Sequence, residues 1–176
     1  MNKKPSVKFL LRDSYLAVIN NSIGTRMYRN LYAEVDNVVT DVSHDGELSC
    51  AYFVSSVLAA LGLIKKSHAV VSSTVKDLQE SGWHEVPAAH EPPIGSVVVW
   101  ENAAFSGGEL HRHIGFYIGN GNAISNDQKT GCPNKHSLQS ATRNIESIFW
   151  HPKLEASQTT DERTISLHSV EQKQLV

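Results

Sequence analysis

Apolar residues recur at helical spacing through the first half of the chain and at strand spacing through the second. Leu10, Leu11, Val18 and Ile19, then Met27 and Leu31, predict one or two helices over residues 5–20 and 23–32. Residues 36–48 are polar and read as a loop. Phe53, Val54, Val57, Leu58 and Leu61 return to helical spacing, with Ser49 as candidate N-cap and Gly62 as terminator. Another helix is expected over residues 69–79, with Val71, Val75 and Leu78 on one face and Ser81-Gly82 ending it.

From Trp83 onward the pattern becomes strand-like. Pro92-Pro93-Ile94-Gly95 is a turn signal ahead of Ser96-Val97-Val98-Val99-Trp100, a β-branched run that reads as a buried strand. Residues 102–110 read as a glycine-containing loop, and His113-Ile114-Gly115-Phe116-Tyr117-Ile118 as the next strand. Asn120-Gly121 signals a tight hairpin, with residues 122–126 returning and residues 145–150 adding one more strand. After Pro152 the periodicity is lost, so residues 1–152 read as a single domain and residues 153–176 as a mobile polar tail. Helices first and short strands afterwards predict an α+β fold with an antiparallel sheet.

Charge and composition narrow the function classes. A net charge of −2 with scattered Lys and Arg gives no nucleic-acid footprint. No apolar run approaches membrane-spanning length, so no membrane association is expected. The basic start, Met1 to Lys8, is followed by Phe9-Leu10-Leu11 and then by Arg12-Asp13, which interrupt any signal-peptide core. The expectation is a soluble protein made in the cytoplasm. Two cysteines are too few for a disulfide framework.

One of those cysteines carries the candidate chemistry. Cys50 falls in the first turn of its helix, where unpaired N–H groups and the helix dipole favour a thiolate. A nucleophilic cysteine needs a base. Of nine histidines, His113 stands out because it begins an apolar strand that leads directly into a hairpin. The return strand brings Ser125 and Asn126 alongside it, and a side-chain oxygen there can orient the imidazole. Straight counting along the hairpin selects Ser125; Asn126 reaches further and is preferred, but needs a bulge to face His113.

These segments resemble a known family. Ser49-Cys50-Ala51-Tyr52-Phe53-Val54 is similar to the nucleophile motif of the NlpC-type cell-wall peptidases and their CHAP relatives, usually Asp-Cys-Ser-Gly-Phe-Val. Pro93 to Trp100 resembles the family's Pro-Gly-Asp-Leu-Val-Phe-Phe strand. His113-Ile114-Gly115-Phe116-Tyr117-Ile118-Gly119-Asn120-Gly121 resembles His-Val-Gly-Ile-Tyr-Leu-Gly-Asn-Gly. The three motifs stand in family order across residues 46–126, with Ser49 and Ser96 in place of the usual acids. The resemblance implies a papain-like fold and a catalytic set of Cys50, His113 and Asn126. It implies no cofactor and no metal. The implied substrate is the stem peptide of peptidoglycan, cut as an endopeptidase or amidase and reached by a route other than signal-led export.

Two other classes remain open from the residues alone. One is a cysteine hydrolase or acyltransferase of the same fold acting on a non-wall substrate. The other is a zinc-stabilised binding module, because His111 and His113 share a strand face and Cys132 and His136, in a stretch that reads as a loop, are spaced like half a zinc site.

Overall fold

A computed structural model describes residues 6–87, 91–104, 110–139 and 143–155. The basic start at residues 1–5, residues 105–109 of the expected loop and residues 156–176 of the expected tail lie outside the described residues. In chain order the elements are α1 (Leu11–Asn21), β1 (Tyr32–Val35), β2 (Val38–Asp41), α2 (Cys50–Ala60), α3 (Val71–Glu80), β3 (His84–Glu85), β4 (Val97–Ala104), β5 (Leu110–Gly119), β6 (Asn122–Asp127), β7 (Cys132–Ser137) and β8 (Ile145–Trp150). A 3-10 turn, Pro152–Leu154, follows. The fold mixes helices with an antiparallel sheet of order β3-β8-β4-β5-β6-β7, plus a separate hairpin of β1 and β2.

Side chains alternate across this sheet, and each face has its own core. Val97, Val99, Ile114, Phe116, Ile124 and Phe149 meet the apolar faces of the helices. Phe53 of α2 and Tyr15 of α1 both meet Phe116 edge-on, at ring separations of 5.5 and 5.7 Å. Phe53, Val54, Val57 and Leu58 are fully enclosed, each contributing roughly 1.5–3 kcal/mol by burial. That packing fixes α2, and Cys50 with it, against β5. Val98, Trp100, Tyr117, Ala123, Leu138 and Ile148 form a smaller cluster from the alternate positions.

The α2 helix, α3, β6, β8 and the centres of β4 and β5 match the sequence pattern, although β4 runs to Ala104 and β5 starts at Leu110, inside the expected loop. The Asn120-Gly121 turn has the two positive φ values (52° and 67°) of a type I′ hairpin. Three expectations need correction. No helix forms over residues 23–32. Gly24 turns with φ +74° and donates its N–H to the Pro133 carbonyl at 2.8 Å, which leads the chain into a hairpin. The expected loop at 36–48 begins as β2, and Asp36-Asn37, both at positive φ, make the tight turn. Cys132–Ser137, read as a loop, is the edge strand β7, the position where Pro133 is tolerated in a sheet.

The packed chain also runs past residue 152. Leu154 is fully buried in the helix-side core, and the 3-10 turn rests on α1. Among the described residues, no helix is long and apolar enough to cross a membrane.

Candidate active site

The loop before Cys50 is built from hydrogen bonds and glycine. Burial would raise the Asp41 carboxyl, but hydrogen bonds from Ser43, Asn30 and the backbone of Asp45 and Leu31 hold it well below the carboxylate range. Arg29 clamps Asp45 through two bonds of 2.6 Å. Gly46, at φ +90°, lies so close to Gly131 that a Cβ there would come within 2.5 Å of the Gly131 carbonyl oxygen. The Phe53 N–H to the Ser49 carbonyl, 2.8 Å, opens the helix. Ser49 occupies the N-cap position but does not cap: its buried hydroxyl donates to the Gly46 carbonyl at 3.2 Å.

Cys50 thus stands in the first helical turn, as its sequence context predicts, but its ionisation differs from the expectation. Burial pushes the thiol up. The N–H groups of Ile114 and Ala51, the Arg143 guanidinium and the Cys50 N–H pull the other way without cancelling it. Enclosure outweighs the helix start here. The influence of the Ile114 N–H places the sulfur near β5, the strand that also bears His113.

His113 lines the same cleft as Cys50. The cleft has a volume of about 340 Å³ and is also lined by Trp100, Ser125, Asn126, Asp127, His136 and Arg143. Burial pushes the His113 imidazole down to about 3, with the nearby Arg143 and His136 acting in the same direction and Asp127 opposing. Its ring lies against Trp100, centroids 5.6 Å apart, and Trp100 is anchored by its Nε1–H to the Leu138 carbonyl at 3.1 Å.

The hydroxyl that meets His113 is Ser125. Its Oγ lies 2.7 Å from His113 Nε2 and 2.7 Å from His136 Nε2. The pairing of β5 with β6 is regular over Gly115↔Ser125, Phe116↔Ile124 and Tyr117↔Ala123. A bulge does form, between Tyr117 and Gly119, but it turns Ser125 rather than Asn126 towards His113. Asn126 takes the alternate face, is buried, and donates from Nδ2 to the Gly46 carbonyl at 2.6 Å. It therefore ties the cysteine loop to the sheet, and its Oδ1 has no hydrogen-bond partner among the described residues.

The sequence did not single out His136 as a neighbour of His113, nor Trp100 and Arg143 as cleft residues. The pairing Ala123↔His136 across β6 and β7 brings His136 in, and β7 carries no apolar alternation that would mark it as a strand. Other histidines have structural partners: His68 Nε2 pairs with Asp77 at 2.8 Å, and His151 Nε2 reaches the Ser81 carbonyl at 3.1 Å. Among the described residues no three His, Cys, Asp or Glu side chains converge as a metal shell, so the His111, His113, Cys132 and His136 set is not brought together as a zinc site.

A thiol and an imidazole lining one cleft, with backbone N–H groups at the sulfur, can perform nucleophilic acyl chemistry. No protein-family model matches the chain, and no curated protein matches it.

Proposed function

We propose that this chain is a papain-like cysteine hydrolase that cleaves an amide bond in the peptide part of peptidoglycan, as an endopeptidase or amidase. The observation that carries the reading is the joint lining of one cleft by Cys50 and His113. The substrate rests on the three motifs that resemble the NlpC and CHAP peptidases.

At neutral pH the resting pair is a thiol and a neutral imidazole, since burial raises one and lowers the other. His113 therefore takes the thiol proton as the sulfur attacks the amide carbon and the carbonyl electron pair moves to oxygen. The Cys50 backbone N–H is the oxyanion donor. The tetrahedral species collapses, the C–N bond breaks, and the amine leaves with the proton that His113 returns. Water, deprotonated by His113, adds to the thioester and releases the acid and the Cys50 thiol.

Purified sacculi incubated with the protein, with products separated by mass, test this reading. New stem-peptide fragments are expected, and they should disappear with Cys50→Ala. Intact muropeptides, under conditions where a model amide is still hydrolysed, would move the reading to a non-wall substrate. An active Cys50→Ala variant would remove the cysteine mechanism.

A further inference from the structure

We propose that His136, acting through Ser125, sets which nitrogen of His113 carries the proton, and so keeps the other free to act as the base. The proposal rests on the hydrolase reading for its catalytic meaning, but its physical content is a chain of hydrogen bonds. His136 Nδ1 lies 2.8 Å from the Ser137 carbonyl oxygen. A carbonyl only accepts, so that nitrogen holds the proton of neutral His136, and Nε2 is a bare acceptor. Ser125 Oγ is 2.7 Å from His136 Nε2 and has a single proton to give. It donates that proton to His136. The bond to His113 Nε2, also 2.7 Å, must then run from the imidazole to the hydroxyl. His113 is thereby the Nε2–H tautomer, and its Nδ1 is unprotonated.

Without His136 the direction is no longer fixed. The Ser125 hydroxyl becomes free to donate to His113 Nε2, which moves the ring proton to Nδ1 and blocks the base. His136 and Ser125 are therefore positioning residues. The surroundings hold this arrangement in register: the Trp100 ring lies 5.6 Å from His113 and 5.5 Å from His136, and the Trp100 indole is tied to Leu138 just beyond β7.

The experiment is long-range proton–nitrogen NMR on the full chain labelled with ¹⁵N-histidine, alongside steady-state kinetics on the hydrolysed amide. At neutral pH the wild type should give the Nε2–H pattern for His113 and the Nδ1–H pattern for His136. His136→Ala should move His113 towards Nδ1–H. It should lower kcat by about ten- to a hundredfold with KM little changed, part of the ~10²–10⁴ that acid–base catalysis supplies. His136→Gln, whose amide oxygen can still accept from Ser125, should restore both the tautomer and most of kcat. A wild-type His113 in the Nδ1–H form overturns the proposal whatever the variants do. So does His136→Ala with an unchanged tautomer and kcat; if Cys50→Ala is then still inactive, the hydrolase reading stands without this device. The converse also separates them. The expected tautomers and their shift in His136→Ala, in a protein that hydrolyses no amide, would support the network and remove the hydrolase reading.

Discussion

Cys50 and His113 are both uncharged at neutral pH because enclosure disfavours the charged form of each, the thiolate in one case and the imidazolium in the other. Alkylation by iodoacetamide should follow from this. The rate at Cys50 should climb through the alkaline range with a midpoint above that of an ordinary thiol; a plateau already reached near neutral pH would show a preformed ion pair. The same burial has a stability consequence at His113. The folded imidazole stays neutral down to about 3, whereas the unfolded one takes its proton near its ordinary 6.5. Between those values the unfolded chain binds more protons, so stability is complete above about 6.5 and is lost as the pH falls towards 3. The slope from one such group is at most about 1.4 kcal/mol per pH unit. His151, also held down by burial, acts in the same direction. Denaturant midpoints measured from pH 7 to pH 4 should therefore fall, and His113→Gln should fall less steeply; equal slopes would refute the assignment to His113. Cys50 and His113 stood out as candidates because each sits in a strong local pattern. Their protonation states were not, since burial is contributed by neighbours remote in sequence.

Among the elements, β5 and β6 carry the site, and Gly115 is what lets them approach. A Cβ there would come within 2.7 Å of both the Ile124 carbonyl oxygen and the Ser125 Cβ, and 3.2 Å of the Trp100 ring. By alternation that Cβ would lie on the His113 face. Gly115→Ala should cost about 1–3 kcal/mol in thermal or denaturant unfolding, as overpacking does. It should also depress kcat by pushing Ser125 away from His113. An alanine variant with wild-type stability and turnover would mean that the two strands are less tightly pressed than the structure has them. The hairpin itself was readable from Asn120-Gly121 because its turn chemistry is local. The choice between Ser125 and Asn126 was not. It depends on where the ladder shifts register, and the shift between Tyr117 and Gly119 sets Ser125 opposite Gly115. Likewise β7 has a polar face, a proline and an exposed edge, so only its pairing with β6 identifies it as a strand.

Over the whole molecule, the two ends of the described chain close on the same core. The Tyr15 hydroxyl of α1 donates to the Gly95 carbonyl at 2.8 Å, just ahead of β4, and Leu154 is buried behind β8 in the cluster that includes α1. Leu154→Ala should therefore lower stability by roughly 2–5 kcal/mol, the usual range for a fully enclosed leucine, with a matching fall in melting temperature. An unchanged melt would place Leu154 outside the core and restore a boundary at residue 152. The sequence by itself determined the helix that bears Cys50, the strand that bears His113 and the hairpin that returns beside it. Helical and strand periodicity and tight-turn chemistry act within a few residues, so a chain carries them openly. The tertiary structure decided the rest: Ser125 between two histidines, Asn126 holding Gly46 from 80 residues away, and the thiol raised rather than lowered. Those follow from register, enclosure and hydrogen-bond partners drawn from distant segments, which exist only once the sheet has formed.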